Sequence, residues 1–554
     1  MTTFATVLAQ HYVGAADRPA IHLQFARRDD VTLTYRDLVC GAAGFARVLA
    51  ERGIAPGEVV VIILQHGEPL VYAFWGATLH GAVPSILPPL TEKLLPERYR
   101  KDLAALIRVT RPRAIVTYAE FAPEVTRAAN DVGGDAPQVI VIGEVVPTEP
   151  DFAALGGMRR SPQDIVLLQH SSGSTGLQKG VALSHRAVFN QLDAYAPAIG
   201  LSDRDVIVSW LPLYHDMGLI ASFVLPVLRR VPLVLMSPFD WVRAPARLMH
   251  AVTKYGGTLT WLPNFAYNFC ATRIRERDLT DVDLSSLRAV INCSEPIYHS
   301  SHQIFLQKFE RYGLRPNALA TCYAMAENTF AVTQSEIGRP IARNAGGGIG
   351  NAGQVSSGRP LSNVRIRILS EDRRDLPEGA IGEIALQSDC MLSEYYHRPD
   401  ATAQAFFEGF YLTGDLGYVL DGEVYVTGRK KDLIIVGGKN VYPQDLEQLA
   451  SEVPGVHPGR VAAFGVFNAE AGTEDVVIVA EAESEDVTER EQVAEAIRQH
   501  ITRNSDVAVR RVVMVDARWL IKTSSGKVAR SANKEKYLAQ LCGGEASSSL
   551  PERG

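Results

Sequence analysis

"HSSGSTGLQKG", residues 170–180, is a run of small hydroxyls and glycines closed by a lysine, a composition suited to holding phosphate. It departs from the common phosphate loop, G-x-x-x-x-G-K-[ST]: Gly173 and Gly176 stand too close together, and Gly180, not a hydroxyl, follows Lys179. The flanks decide what kind of turn it is. "IVLLQ" (165–169) and "GVALSH" (180–185) both read as strands, and helical sequence, "RAVFNQLDAYA" (186–196), begins only after them. The loop is therefore expected to join two strands, with no helix N-terminus to receive an anion. It has backbone N–H groups, the hydroxyls of Ser171, Ser172, Ser174 and Thr175, and the charge of Lys179, while Gly173 and Gly176 let the backbone fold closely round a polyphosphate. Taken alone, such a Ser/Gly loop reads equally well as a flexible linker.

The surrounding chain has 554 residues, 46% hydrophobic and 21% charged, long enough for more than one soluble domain. A net charge of −6 gives no reason to expect a nucleic-acid partner. Cys40, Cys270, Cys293, Cys322, Cys390 and Cys542 form no C-x-x-C pair and no metal-type spacing with histidine, so free thiols in a reducing cytoplasm are expected. The N-terminal stretch lacks a signal-peptide pattern. The most apolar run, "ASFVLPVLRRVPLVLM" (221–236), is broken by Arg229-Arg230 and by prolines, so no membrane span is expected. The tail 543–554 reads as disordered.

Short Val/Ile runs recur between helical stretches, among them "VVVIIL" (59–64), "RAIVTY" (113–118), "VIVIG" (139–143), "DVIVSW" (205–210), "VPLVLM" (231–236) and "RAVINC" (288–293). Runs of this kind suit α/β sheets whose strands are buried on both faces. After residue 380 the texture changes. "GEIALQS" and "GEVYVTG" alternate like half-exposed antiparallel strands, and a compact α+β pattern follows, with strands "RVAAFGVF" (460–467) and "DVVIVAEA" (475–482) and a helix over 489–504. The expected division is a large α/β domain at 1–428, a charged joint at 429–433, and a small α+β domain at 434–542.

Further segments give the glycine loop a context. "YAMAE" (323–327), "YLTGDLG" (411–417), "GRKKDLIIVGGKN" (428–440) and "KTSSGKVAR" (522–530) follow it in that order. With the loop, they make the chain resemble the adenylate-forming superfamily of acyl-CoA synthetases, fatty acyl-AMP ligases, peptide-synthetase adenylation domains and luciferases, over nearly its whole length. The resemblance implies stacked αβ sheets with a β-barrel-like subdomain in the large domain, and a small mobile lid. It implies ATP and Mg2+ as requirements. It places the β- and γ-phosphates on Ser171–Gly176 and Lys179, Mg2+ on Glu327 with Thr175, and adenine and ribose on Ser294, Glu295, Pro296, Tyr323, Ala324, Asp415 and Arg429. Tyr323 would stack on adenine, or else be a core tyrosine. A carboxylate such as Asp415 suits a vicinal diol because it accepts from both hydroxyls. Lys527 would bring positive charge to the reacting carboxylate and α-phosphate, Lys431 would be the hinge, and Gly437-Gly438 would admit a pantetheine arm. Gln178 stands where the family more often has proline, and Ala324 and Ala326 replace its usual glycine and threonine.

"SWLPLYHDMGLI" (209–220), "SPFDWVRAPARLM" (237–249) and "PNFAYNFC" (263–270) are most similar to the fatty acyl-AMP ligase branch. The resemblance sets Tyr214 and His215 beside the bound carboxylate, with a hydrogen-bonded core histidine as the plainer alternative for His215, and makes Asp216 structural. Leu262, Phe265 and Phe269 fall at helical spacing and read as one apolar face, either core or acyl-tunnel wall. Two features depart from the branch. Its usual insertion is shortened or absent between Glu327 and "SGRP" (357–360), and "VGGKN" (436–440) is closer to CoA ligases. The implied activity is conversion of a fatty or related aliphatic acid to acyl-AMP and pyrophosphate, then transfer to the phosphopantetheine of an acyl carrier protein, as in lipid or polyketide/peptide pathways. Transfer to CoA is the alternative, and a non-catalytic nucleotide-binding regulator is the alternative of another class.

Overall fold

The computed structural model describes residues 2–89, 96–134, 136–143, 145–171, 179–344, 353–436, 439–468, 473–505, 507–523 and 526–542. Of the residues singled out in the sequence, Ser172, Gly173, Ser174, Thr175, Gly176, Gln178, Gly437, Gly438 and the tail 543–554 lie outside these ranges, as do the side chains of Ser171 and Cys542.

The continuous Val/Ile runs become buried parallel strands, because β-branched side chains pack well on a sheet covered on both faces. Val59–Ile63 is buried at every position and lies between Val83–Ile86 and Ala114–Thr117, with Gln138–Val141 beyond, all parallel. A nine-stranded sheet stands beside this one. Its parallel centre runs in the order Leu319–Ala324, Ala289–Asn292, Leu259–Leu262, Ile207–Ser209, Leu233–Met236 and Pro19–Gln24. Antiparallel strands close both edges.

Ile165–Ser171 and Lys179–Ser184 pair antiparallel, and helix His185–Ala198 starts only after the second strand, capped by Ser184. The glycine loop thus connects two strands, as its flanks require. Glu394–Tyr395 adds to the outer edge of Lys179–Ser184, with Tyr395 opposite Val181.

The part expected to be barrel-like is a five-stranded antiparallel sheet. Val364–Leu369, Gly382–Ser388, Phe410–Leu420 and Phe406–Phe407 follow in order, and Glu423–Arg429 also pairs with Phe410–Leu420. One strand corrects the sequence reading. "GEIALQS" is not half-exposed: Gly382–Leu386 are all buried, because neighbours pack on both faces, Ile384 against Ile368 and Val424, and Ala385 against Leu369 and Phe410. The polar/apolar alternation comes from Glu383, which is buried and held by Arg373 and Lys430.

Beyond residue 433 lies a separate sheet of Val456–Asn468, Thr473–Ala482 and Val509–Val515. Helices Pro443–Ser451 and Val487–Asn504 cover one face and helix Arg530–Tyr537 the other, each over its own apolar cluster. The main core cluster draws only on residues from Phe4 to Tyr411. Among the described residues no helix is long and apolar enough to cross a membrane; the run 221–236 is a buried π-helix end, a short helix and a strand.

Candidate active site

The residues singled out by the motifs gather where parallel strands end, as ligands do in open α/β sheets. Trp210–Asp216 follows strand Ile207–Ser209, Phe265 follows Leu259–Leu262, Ser294–Pro296 follows Ala289–Asn292, and Glu327 follows Leu319–Ala324. Ser294 sits at φ 73°, a left-handed conformation that costs a non-glycine residue roughly 1–3 kcal/mol, and its hydroxyl lies 3.8 Å from Met217 Sδ. Glu295 ties this turn to the neighbouring helix, accepting from the Phe265 N–H at 2.9 Å. Pro296 is exposed, and Ala324 is half-buried at the end of its strand.

On the antiparallel-sheet side, Tyr323, Asp415 and Arg429 form one unit. Asp415 and Arg429 are cross-strand partners, with Arg429 Nε 3.4 Å from Asp415 Oδ1. The Tyr323 hydroxyl donates to Asp415 Oδ2 at 2.6 Å, and its ring packs beside Ile368, Ile384 and Val424. Burial, then the Asp415 charge, pushes the Tyr323 phenol well up, so it stays a donor. The arrangement leaves a half-buried aromatic edge and a carboxylate side by side, which suits a base and its sugar.

The side of the crevice that holds Lys179 and Glu327 centres on a residue the sequence did not flag. The Tyr395 hydroxyl donates to Glu327 Oε1 at 2.8 Å and lies 2.8 Å from the Tyr411 hydroxyl, while Lys179 Nζ sits 4.5 Å from the centre of the Tyr395 ring. One tyrosine therefore touches both the lysine of the glycine loop and the acid of "YAMAE". Burial raises the Glu327 pKa and Asp216 adds to it, against the Tyr395 hydrogen bond and Arg429. A carboxyl held in this way gains from a nearby cation. Among the described residues no three His, Cys, Asp or Glu cluster as a metal site. A cation here would take a single protein carboxylate and fill its shell with phosphate and water oxygens, a hard-oxygen donor set that fits Mg2+. His170, first in the glycine-loop stretch, brings no charge. Burial lowers its pKa to about 4, and its Nε2 is 2.6 Å from Ser85 Oγ.

Lys431 extends the line of cations. Desolvation and the charges of Arg429 and Lys179 lower its pKa, with Asp432 and Asp415 opposing. Lys527 arrives from the small lobe on a turn in which Thr523 N donates to Lys527 O (2.8 Å) and Lys527 N to Thr523 Oγ1 (3.1 Å). Gly526, at φ 90°, gives the turn a left-handed corner that L side chains rarely adopt. Desolvation and the charge of Arg429 lower the Lys527 pKa, against Glu295, Asp216 and Cys293, so the ammonium lies within electrostatic reach of the crevice. Arg530, just after this turn, donates to Glu447 at 2.7 and 2.6 Å and to Asp432 at 2.9 Å, clamping the charged joint to the small lobe. Across the joint, the Tyr298 hydroxyl donates to Gln444 O at 3.2 Å.

His215 and Asp216 stand at the head of the π-helix Met217–Val224. Asp216 Oδ1 lies 2.6 Å from His215 Nδ1 and accepts from Met217 N at 2.7 Å. Burial works against the Asp216 charge, but His215, Lys527 and the Met217 N–H hold its pKa low. Asp216 thus anchors the ring of His215. The expected apolar face Leu262–Phe265–Phe269 needs correction. Leu262 ends a strand, Pro263 breaks the chain, and the helix is Asn264–Arg273, burying Asn264, Ala266, Tyr267 and Cys270. Phe265 and Phe269 are only half-buried, and both lie against Trp241, which stacks on Trp210 at 3.6 Å and 3°.

Comparison with known proteins follows the same lines. A family profile described as "AMP-binding enzyme" matches residues 8–396. The chain is 31% identical over 548 residues to the long-chain-fatty-acid–AMP ligase FadD26 of Mycobacterium bovis, covering 91% of each. It is 28% identical over 551 residues to the medium-chain-fatty-acid–[acyl-carrier-protein] ligase JamA of Moorena producens, covering 93% of this chain and 91% of the relative. A solved structure from work on fatty acyl-adenylate ligases of E. coli and L. pneumophila superposes with a TM-score of 0.85 at 28% identity, covering 98% of each chain.

Proposed function

The chain belongs to the AMP-binding enzyme family, and on that premise we propose that it is an ATP- and Mg2+-dependent ligase that makes a fatty acyl-adenylate and hands the acyl group to the phosphopantetheine thiol of an acyl carrier protein. The observation that carries this reading is the meeting of Lys179, Arg429, Lys431 and Lys527 with several carboxylates at the ends of the parallel strands: Lys179 and Glu327 both touch Tyr395, Arg429 pairs with Asp415, Lys431 feels Arg429 and Lys179, and Lys527 lies in the field of Glu295 and Asp216. Cations interleaved with carboxylates in one crevice suit a polyphosphate with its metal.

In this reading Tyr323, Asp415 and Arg429 hold the nucleoside, and Lys179 with the glycine loop holds the β- and γ-phosphates. When bound, Mg2+ neutralises charge on the departing pyrophosphate, held by Glu327 with Thr175. A carboxylate oxygen of the acid attacks the α-phosphorus; the bond from that phosphorus to the bridging oxygen breaks, and pyrophosphate leaves. Lys527 offsets the repulsion between the two anions as they meet, the kind of preorganised charge that is usually the largest catalytic contribution. His215, oriented by Asp216, lines the carboxylate's approach. In the second step the thiol sulfur attacks the acyl carbonyl and AMP departs. Residues 429–433 are the hinge on which the 434–542 lobe turns away, with Lys431 at its centre and Gly437-Gly438 brought toward the thiol. Buried free thiols at Cys40, Cys270, Cys293, Cys322 and Cys390 fit a cytoplasmic enzyme.

A second acceptor, CoA, has its own support in "VGGKN" (436–440), which is closer to CoA ligases than to the fatty acyl-AMP ligase branch. The test is incubation with ATP, Mg2+ and a panel of acids, with CoA and a holo-carrier protein compared by mass spectrometry. Acid-dependent pyrophosphate release and acyl-carrier formation are expected. Acyl-CoA in place of acyl-carrier moves the assignment to CoA, and pyrophosphate release without dependence on any acid sinks the ligase reading.

A further inference from the structure

A pair of hydrogen bonds crosses the charged joint and meets on one residue. The Tyr298 hydroxyl donates to the backbone carbonyl of Gln444 at 3.2 Å, and the Gln444 side-chain Nε2 donates to the backbone carbonyl of Thr427. Tyr298 and Thr427 belong to the large domain, whereas the buried Gln444 opens helix Pro443–Ser451 of the small lobe. Tyr298 is itself held from the parallel sheet. Its N–H donates to Asn264 Oδ1 at 3.2 Å, and the same oxygen accepts at 3.0 Å from Nδ2 of Asn292, the last residue of strand Ala289–Asn292. Asn264 Nδ2 donates onward at 3.0 Å to Ser301 Oγ, in the helix that follows Tyr298. Burial, then the charges of Asp445 and Glu447, push the Tyr298 phenol well up, so its hydroxyl stays a donor. In this same pose Lys527 stands within the field of Asp216 and Glu295. Residues 429–433 lie between Thr427 and Gln444, so a swing about that joint that carries Lys527 away separates both hydrogen-bonded pairs.

We propose that Tyr298 and Gln444 are positioning residues that latch the small lobe in the pose presenting Lys527, and so set how the enzyme divides its time between making the acyl-adenylate and passing the acyl group on. The proposal rests on the adenylation reading above and adds the contact that governs its two poses. When the lobe swings away, the freed donors and carbonyls return to water. Each bond therefore contributes only its net worth, a factor of about 2 to 12 in the equilibrium between poses. Acyl-adenylate formation follows the latched fraction and acyl transfer follows the fraction swung away. The ratio of the two rates thus tracks the equilibrium itself, whichever pose is the more populated.

The full-length chain with Tyr298→Phe, with Gln444→Met, and with both tests this. Single-turnover formation of acyl-AMP from ATP, Mg2+ and decanoate (or the panel acid that the parent uses fastest) is compared with single-turnover transfer from the same acyl-AMP, supplied ready made. The acceptor is CoA or a holo-carrier protein, whichever the parent uses. Tyr298→Phe should lower the ratio of formation to transfer about 2- to 12-fold. Gln444→Met should do the same, and the double variant should lower it further than either alone. Tryptic cleavage after Lys430 and Lys431, followed by mass spectrometry without substrates, should speed up by a similar factor, since cleavage of a transiently opened segment follows its population. A ratio that is unchanged or raised in either single variant overturns the proposal; an equal fall in both rates is such a case and makes the pair plain packing. Should a variant lower the melting temperature, the ratio still decides, because loss of folded enzyme scales both rates alike. If the parent forms no acyl-AMP from any acid of the panel, the ligase reading fails. The trypsin comparison then decides the latch alone, faster cleavage in the variants supporting it and unchanged cleavage overturning it.

Discussion

Replacing Lys527 with alanine isolates the charge on which adenylation is proposed to depend. The ammonium reaches the crevice from the small lobe, in the field of Asp216 and Glu295 on one side and Arg429 on the other. A unit charge about 4 Å from a reacting anion is worth about 4 kcal/mol at an effective dielectric of about 20. At 1.36 kcal/mol per decade that is roughly a thousandfold. Truncation also leaves Asp216 and Glu295 facing an incoming carboxylate, which adds to the cost. Loss of comparable preorganised donors lowers rates by about 100- to 1000-fold, so we expect at least the lower figure. ATP affinity should stay near the parent value, because the proposed nucleoside site, Tyr323 with Asp415 and Arg429, is a separate unit of contacts. The assays are acid-dependent pyrophosphate exchange for the chemistry and direct titration for ATP binding. The pH profile gives an independent check. The protonated form does the work, and burial depresses the Lys527 pKa below that of an ordinary lysine. The parent's exchange rate should therefore fall as pH rises through that depressed value, and Lys527→Ala should lack this limb. A loss smaller than about fivefold, or a limb that survives the substitution, refutes the assignment.

Tyr395→Phe keeps the ring beside Lys179 but removes the donor to Glu327; half-saturation by Mg2+ should rise about 10- to 100-fold, as for other losses next to a metal ligand, read from exchange rates across a magnesium titration. Asp415→Asn breaks the charge shared with Arg429 and weakens the Tyr323 contact; KM for ATP should rise at least about tenfold, since a hydrogen bond to a charged group is worth roughly 1.5–3 kcal/mol, with a smaller change in kcat. Asp445, at the start of helix Pro443–Ser451, is pushed up to about 7 by burial and by Glu447. Its folded pKa exceeds its unfolded value, so the stability it contributes is present at low pH and is lost as pH rises from about 4 to about 7. Asp445→Asn should thus raise the melting temperature more at pH 8 than at pH 5, and an equal shift at both would show that the carboxyl does not titrate there.

What could be read from the sequence was local. Strands such as Val59–Ile63 show themselves because every position must be apolar when both faces are covered. The loop at 170–180 could be placed between two strands because helical sequence starts only after Ser184. The misreadings arose where a local pattern had a tertiary cause. Glu383 made a buried strand look half-exposed, since a charge satisfied by Arg373 and Lys430 is invisible until those partners arrive from elsewhere in the chain. Leu262 matched helical spacing across a proline that separates a strand from a helix.

The residues that organise the crevice were hidden for the same physical reason. Tyr395 sits in "SEYYHRPD" with no glycine, spacing or charge to mark it. Its importance comes only from pairing beside Val181, which sets its ring against Lys179 and its hydroxyl on Glu327. Arg530 closes the late lysine motif, yet its partners Asp432 and Glu447 lie in the charged joint and in a helix far earlier in the chain. Removing one member of so buried a charge cluster commonly costs about 3–5 kcal/mol, and here the same contacts fix where the joint ends and the turn of Lys527 begins. The motifs therefore name the groups proposed to face the nucleotide. The long-range pairs, Tyr395 with Glu327 and Arg530 with Asp432, determine whether those groups meet, and they can be found only once the chain has folded back on itself.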